Sequence, residues 1–129
     1  MECPVCKNEP MIVLELNEIE IDHCLKCKGI WLDAGELELL LGDAEKGREL
    51  LEQFQIDKSS QEKKFKCPIC GKKMEKISVG DKNRILIDRC KNGHGLWFDQ
   101  GELEDVIKEG TFDKDNKVLN LLKDMFNAD

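Results

Sequence analysis

The sequence predicts a small metal-stabilised α+β fold that is built twice in tandem, and three observations carry this prediction. Seven cysteines occur in only 129 residues, and six of them form C-x2-C pairs. A stretch near the start of the chain is repeated in its second half. The apolar fraction is 40%, but the chain has only five Phe, two Trp and no Tyr. Units of about 40 residues with so little core material rarely fold without a metal, disulfides or a partner.

The spacing of the cysteines indicates metal binding and not disulfide bonding. An odd number of cysteines argues against a closed disulfide framework, and no signal peptide precedes the first one. We therefore expect a reducing, cytoplasmic location, where paired cysteines are usually metal ligands. No apolar run approaches the roughly 18 residues that a membrane span needs, so we expect no membrane contact. The candidate ligands are Cys3, Cys6, Cys24, Cys27, Cys67, Cys70, Cys90 and His94.

The two copies correspond at a nearly constant offset. Cys3 matches Cys67 at an offset of 64, whereas Trp31 matches Trp97 at an offset of 66. The second copy therefore has two more residues, and we place both at its hairpin tip, around Gly80. The chain then divides into a first copy over residues 1–42, a linker over 43–65, a second copy over 66–110 and a C-terminal segment over 111–129.

Within each copy the hydrophobic period changes once. Apolar and polar residues alternate around the hairpin turn, as in a half-buried β-hairpin. A short apolar strand follows, Ile30–Leu32 in the first copy and Leu96–Phe98 in the second. Asp33 and Glu36 then resemble a capping box, with the aspartate as N-cap of a short helix, and the same pair recurs in the second copy.

Two further helices are expected outside the copies. Leu50, Leu51 and Phe54 share one helical face, so we predict a linker helix over 44–55, followed by a polar tether. In the C-terminal segment, apolar residues at i, i+3, i+4, i+7 and i+8 form the stripe of an amphipathic helix. That stripe either closes over the thin cores or pairs with a second copy in a homo-oligomer, and the sequence leaves both open.

The spacing of the ligands predicts two structural zinc ions in each chain. The first site reads C-x2-C-x17-C-x2-C, and two such pairs form a closed, tetrahedral, all-thiolate site. In the second copy Gly93 stands where the first has Cys27, but His94 follows it directly. A histidine reaches farther than a cysteine, so we predict His94 as the fourth ligand, with a water molecule as the alternative. His23 precedes a site that already has four sulfurs, and we predict that it is not a ligand.

Nothing in the sequence favours catalysis. Four protein ligands leave a zinc ion no open position for substrate. We find no Ser/His/Asp set and no phosphate-binding glycine loop, and the repeated carboxylates fit helix capping. We therefore predict a non-catalytic protein. Iron is the inorganic alternative, because Cys67–Gly71 also resembles a rubredoxin knuckle, but a histidine ligand and the absence of Tyr favour zinc.

A family resemblance adds to this interpretation. Both copies follow the pattern CPxC, a hairpin, and then a stretch that reads IDHCLKCKGIWLDAGELE in the first copy. This pattern resembles the transcription-factor-IIB-type zinc ribbon family of small prokaryotic proteins. The resemblance implies two tandem zinc ribbons, each a β-hairpin plus a short strand and helix, joined by the helical linker and followed by the C-terminal helix. It implies the seven cysteines as ligands, and the second copy departs from the pattern at Gly93-His94.

Charge is spread unevenly and leaves more than one partner class open. The net charge is −7, and residues 1–42 carry nine acidic side chains against three basic ones. Such a chain repels phosphate as a whole, which favours a protein-binding adaptor. RNA or DNA binding with a transcription- or translation-related role is the alternative, and a redox or zinc-sensing role is a third. The basic residues available for nucleic acid are Lys72, Lys73, Lys76, Lys82, Arg84, Arg89 and Lys91.

Overall fold

The computed structural model describes residues 1–42, 44–80 and 84–110. Each copy contributes a two-stranded hairpin, a third strand and a helix, and the linker contributes one helix and one short strand. In chain order the elements are β1 (Ile12–Leu16), β2 (Ile19–His23), β3 (Ile30–Asp33), α1 (Glu36–Leu41), α2 (Ala44–Glu52), β4 (Gln55–Ile56), β5 (Glu75–Val79), β6 (Ile85–Arg89), β7 (Gly95–Phe98) and α3 (Glu102–Gly110). The C-terminal helix expected over 111–129 lies outside the described residues and stays a prediction. None of the described helices is long and apolar enough to cross a membrane.

The seven strands form one antiparallel sheet in the order β1-β2-β3-β7-β6-β5-β4. The third strands of the two copies, β3 and β7, pair with each other at the centre of this sheet. Trp31 lies opposite Trp97 in that pair, and Leu32 lies opposite Leu96. Because Trp31 and Trp97 are equivalent residues of the two copies, the junction has an approximate twofold axis between them. The pairing also satisfies the backbone groups of a strand edge that each copy alone would leave open.

The helices cover one face of the sheet and form the larger apolar core with it. Successive residues of a strand point to opposite faces, so Ile30 and Leu32 face the helices while Trp31 points away. Leu37 of α1 and Leu103 of α3, which are equivalent residues, are each 1% exposed. Each such leucine stabilises the fold by about 1.5–3 kcal/mol relative to an exposed position.

The turn before each short helix differs from the predicted capping box. Gly35, and not Asp33, is the N-cap of α1, and no side chain caps that helix. The Asp33 carboxylate instead accepts the indole N–H of Trp31 at 2.9 Å, because a fully buried tryptophan needs a partner for this donor. The reciprocal half of the box is present, since the Asp33 N–H donates to Glu36 Oε1 at 2.6 Å. The second copy repeats both hydrogen bonds with its own Trp, Asp and Glu.

The length difference between the copies is distributed differently from the prediction. Leu16 pairs with Ile19 across a two-residue turn, whereas Val79 pairs with Ile85 across residues 80–84. The second hairpin tip is thus three residues longer than the first. Each copy begins with a C-x2-C turn, its first knuckle (Cys3–Cys6 or Cys67–Cys70), and the second copy has one residue fewer between this knuckle and its hairpin. The first knuckle is longer because Lys7 and Asn8 both adopt positive φ, where the second copy uses Gly71 alone.

The linker helix is shorter than expected. Helix α2 ends at Glu52, and Gln55–Ile56 continues as strand β4 on the outer edge of β5. Phe54 turns the chain between them, since its N–H donates to the Leu51 carbonyl while its ring enters the helix-side core. Strand β4 therefore covers the edge of the second copy.

Candidate metal centres

The first cluster of ligands joins two turns at one end of the first hairpin. Cys3 and Cys6 lie in the turn before β1, and Cys24 and Cys27 lie in the turn directly after β2. Because β1 and β2 are antiparallel, the start of one strand lies beside the end of the other. Within each turn a backbone N–H donates to the first sulfur: Cys6 N to Cys3 Sγ at 3.3 Å, and Cys27 N to Cys24 Sγ at 3.5 Å. These donors favour the thiolate form that metal binding requires.

The distances within the first cluster fit a zinc ion. A tetrahedral site with Zn–S bonds of about 2.3 Å has S···S edges of about 3.8 Å. Cys3 Sγ lies 3.6 Å from Cys27 Sγ, and Cys24 Sγ lies 3.8 Å from Cys6 Sγ. All four sulfurs lie within 4.8 Å of one another. The set is therefore compact enough for one four-coordinate ion.

The second cluster brings together Cys67, Cys70, Cys90 and His94, again within 4.8 Å of one another. Cys70 Sγ lies 3.7 Å from Cys90 Sγ. The Nδ1 atom of His94 lies 3.4 Å from Cys90 Sγ and 3.9 Å from Cys67 Sγ. A tetrahedral site with one Zn–N bond of about 2.0–2.1 Å has S···N edges of about 3.6 Å. The histidine nitrogen thus lies where a fourth ligand atom belongs.

The substitution of glycine for cysteine in this copy has a geometric cause. In the first copy the turn closes with the Lys28 N–H on the Cys24 carbonyl, and Lys28 takes the positive φ of 66°. In the second copy the turn is one residue tighter, with the Gly93 N–H on the Cys90 carbonyl and a φ of 76° at Gly93. A glycine adopts this conformation without strain. The next residue, His94, then carries the fourth candidate donor atom of the cluster.

Two neighbouring side chains have roles that the ligand pattern does not reveal. Asn92 donates its N–H to Cys90 Sγ at 3.4 Å, and its side-chain amide lies 3.8 Å from Cys70 Sγ. It therefore contacts two of the sulfurs as an outer donor, and sequence reasoning missed it. His23 is 3% exposed, and its Nδ1 lies 3.0 Å from the Gly29 carbonyl oxygen, so it braces the knuckle and belongs to neither cluster.

Burial affects the charge of the thiols. It raises the pKa of Cys3 and of Cys67 to about 11, outweighing the backbone N–H donors that lower it. Burial also raises the pKa of Cys27. At Cys70 the Lys72 backbone N–H dominates and lowers the pKa to about 6. Several thiolates so close together need a cation to balance their charge, and bound Zn²⁺ supplies it.

A buried ion pair distinguishes the second copy from the first. Lys76 and Asp88 lie opposite each other on β5 and β6, 2% and 0% exposed, with 2.8 Å between Nζ and Oδ1. Burial raises the pKa of Asp88 to about 6, although the lysine partly opposes this shift. Phe65 lies against the lysine of the pair, with the Lys76 ammonium 5.3 Å from its ring centroid. The equivalent strand position in the first copy is Val13, which is 61% exposed.

The basic residues proposed for nucleic acid do not form one free surface. Besides Lys76, Arg84 pairs with Asp57 and Arg89 pairs with Glu75, each at 3.3 Å. The exposed members of the set are Lys72, Lys73 and Lys91, together with the partly engaged Arg84. Lys82 lies outside the described residues.

The two tryptophans lie on the metal side of the sheet. Trp31 and Trp97 are both fully buried, and they pack in one cluster with the ligand cysteines, Met11 and Met74. They therefore line the metal centres and lie on the face away from the helices.

The comparison with known families agrees with this geometry. The class of protein is a small antiparallel domain whose cysteine-rich turns form two four-ligand metal clusters. The family model described as transcription factor zinc-finger, of the TFIIB zinc-ribbon type, matches residues 2–43 and 66–109. The chain belongs to this family, as two tandem copies that hold two structural zinc ions. A search of curated proteins and a search of solved structures returned no match.

Proposed function

We propose that the protein is a non-catalytic adaptor that binds a protein partner, and that its zinc ions serve only to hold the two ribbons in shape. One ion is held by Cys3, Cys6, Cys24 and Cys27, and the other by Cys67, Cys70, Cys90 and His94. The observation that carries the proposal is that each cluster already offers four donor atoms at tetrahedral spacing. Such a set leaves no position for a substrate or a reactive water molecule.

The shared sheet supports an adaptor. Pairing of β3 with β7 fixes the orientation of one ribbon to the other. The cysteine-containing turns of both ribbons are then held in a constant arrangement. A partner that contacts both ribbons therefore binds a preorganised surface, and little conformational entropy of the protein is lost on binding.

A protein partner is favoured over nucleic acid. Three of the candidate basic residues, Lys76, Arg84 and Arg89, already pair with carboxylates. Proteins that bind single-stranded nucleic acid rely on exposed aromatic side chains on which the bases stack. Among the described residues, no aromatic side chain is strongly exposed. The exposed Lys72, Lys73 and Lys91 favour nucleic acid as the second candidate.

The test is a capture experiment with the zinc-loaded full chain. The protein is coupled to a resin and exposed to lysate of its own source, one half of which is treated with nuclease. We expect the same protein partner from both halves, and none with a Cys67→Ala, Cys70→Ala variant that loses one ribbon. Recovery that collapses after nuclease treatment would assign the function to nucleic acid and contradict the adaptor.

A further inference from the structure

A groove of about 700 Å³ opens between the first knuckles of the two copies. Cys3 and Pro4 line it from the first copy, and the equivalent Cys67 and Pro68 line it from the second. Since equivalent residues face each other across it, the groove lies along the approximate twofold axis of the sheet. It exists only because the two ribbons are joined, and neither copy forms it alone.

The groove is positively charged in a protein that is acidic as a whole. Five lysines line it, against Glu2 and Glu62 as the acidic lining residues. All five lysines are exposed, and none takes part in the three ion pairs found among the described residues. Because the net charge is −7, this local excess of cations opposes the average field of the molecule. The lysines are Lys7, Lys63, Lys64, Lys66 and Lys73.

An apolar contact point lies among these lysines. Phe65 lines the groove and is only half-buried, so part of its ring is available to a ligand. Its backbone carbonyl accepts the Met74 N–H at 2.8 Å, and its ring lies against the Lys76 ammonium at 5.3 Å from the centroid. These two contacts hold Phe65 in place. Pro68, which is half-buried, adds rigid apolar surface from the second copy, whereas the equivalent Pro4 is buried in the wall of the groove.

We propose that this groove binds an acidic segment of a partner protein, with its carboxylates on the lysines and one apolar side chain on Phe65. The inference rests on the proposed adaptor function and names the chemistry of the segment that is recognised. A single half-buried ring does not provide the series of stacking surfaces that single-stranded nucleic acid uses. Carboxylates spaced along an extended peptide match lysines that line the groove from the first copy, the linker and the second copy.

The test measures binding of a short fluorescein-labelled peptide, made of Asp and Glu with one Phe-Leu pair at its centre, to the zinc-loaded full chain. The groove variant is Lys64→Glu, Lys66→Glu, and the matched control is Lys26→Glu, Lys108→Glu. The control changes the net charge equally at exposed lysines outside the groove. We expect the groove variant to weaken binding by about tenfold or more, and the control to weaken it by less than about threefold.

Several outcomes would overturn the groove. The first is that the unmodified protein does not bind the acidic peptide. The second is that the groove variant and the control variant lose equal affinity for it. The third is that replacing the Phe-Leu pair of the peptide by Ser-Ser leaves its affinity unchanged. A labelled oligouridine that binds more tightly than the peptide, and is lost with the same variant, would assign the groove to RNA. If the groove variant still captures the same lysate protein as the unmodified chain, the adaptor stands and the groove assignment fails. If no protein is captured by either, the adaptor itself fails, whatever the peptide does.

Discussion

Trp31 lies directly opposite Trp97 at the centre of the sheet, and each indole lies against a glycine of the other copy: Gly29, just before β3, or Gly95, the first residue of β7. A Cβ on Gly29 would overlap the Trp97 ring, and a Cβ on Gly95 would overlap both the Trp31 ring and the Leu32 carbonyl. The carbonyls of these glycines accept the N–H groups of Cys24 and Cys90, each at 3.1 Å. Each tryptophan therefore lies against a residue whose carbonyl holds a ligand turn of the opposite copy.

The Gly95→Ala variant tests this contact. The added methyl group has no space, so we expect it to destabilise the protein by about 2–3 kcal/mol, measured by urea unfolding of the zinc-loaded chain. Gly101→Ala is the control, because a Cβ there meets nothing within 4 Å and only the φ of 87° is unfavourable. We expect the control to cost about 1 kcal/mol. Equal losses in the two variants would show that neither the Trp31 ring nor the Leu32 carbonyl is tightly packed on Gly95.

The ligand role of His94 is tested by zinc stoichiometry. We expect the unmodified chain to bind two ions, and His94→Ala to keep one ion tightly while the second weakens by more than about 100-fold. Loss of a direct ligand exceeds the 10–100-fold effect of an outer-shell partner. His94→Cys restores a sulfur donor and should recover part of the affinity. His23→Ala is the control, and tight binding of both ions in His94→Ala would contradict the assignment.

The buried Lys76–Asp88 pair predicts strong coupling between two substitutions. Asp88→Asn leaves the lysine ammonium buried without a counter-charge, which we expect to cost about 3–5 kcal/mol. Adding Lys76→Met removes the unpaired charge, so the double variant should be more stable than Asp88→Asn alone. The first copy offers the control Asp22→Asn, because Asp22 lies opposite Val13 and not opposite a lysine. We expect that change to leave the free energy of unfolding nearly unaltered. If the loss of stability in the double variant equals the sum of the losses in Asp88→Asn and Lys76→Met, the two residues are not coupled.

Local pattern was enough to predict each ribbon. Paired cysteines and the alternating hairpins specify contacts between residues close in sequence, and the family match covers both copies. The sequence also pointed to His94 as a donor beside the missing cysteine, with water as the alternative, and the structure places its ring nitrogen within 4.8 Å of the other three donor atoms. The capping box was half wrong because a buried Trp31 competes for the Asp33 carboxylate, and that competition depends on tertiary burial.

The contacts between the copies left no signal in the sequence. Trp31 and Trp97 belong to separate copies, and no local sequence pattern indicates that their strands, 66 residues apart, pair with each other. Lys76 reads as an exposed strand residue, because the Phe65 ring that covers it comes from the linker. The groove between the two copies depends on these same long-range contacts. It follows from the pairing of β3 with β7 and from the path of the linker, which sequence spacing alone does not determine.

Glu102 predicts a pH dependence of stability. Burial raises its pKa to about 7, with Asp99, Asp88 and Glu62 adding to the shift while the Asp99 N–H opposes it. In the unfolded chain the carboxyl titrates near 4.5. Between these values the folded protein holds a proton that the unfolded chain releases. The protonated carboxyl therefore contributes stability at low pH, and this contribution is lost as the pH rises towards 7.

The Glu102→Gln variant keeps the acceptor for the Asp99 N–H but does not titrate. We expect it to gain stability over the unmodified chain as the pH rises from 5 to 8, by about 1 kcal/mol after allowance for partial solvent exposure. Thermal unfolding of zinc-loaded samples measures the difference, in which any pH effect on zinc binding common to both proteins cancels. Glu36→Gln, at the equivalent position of the first copy, is the control. Its pKa is raised less by burial, so its gain should be smaller. A difference that stays constant from pH 5 to 8 would show that Glu102 titrates in the folded protein as it does in the unfolded chain.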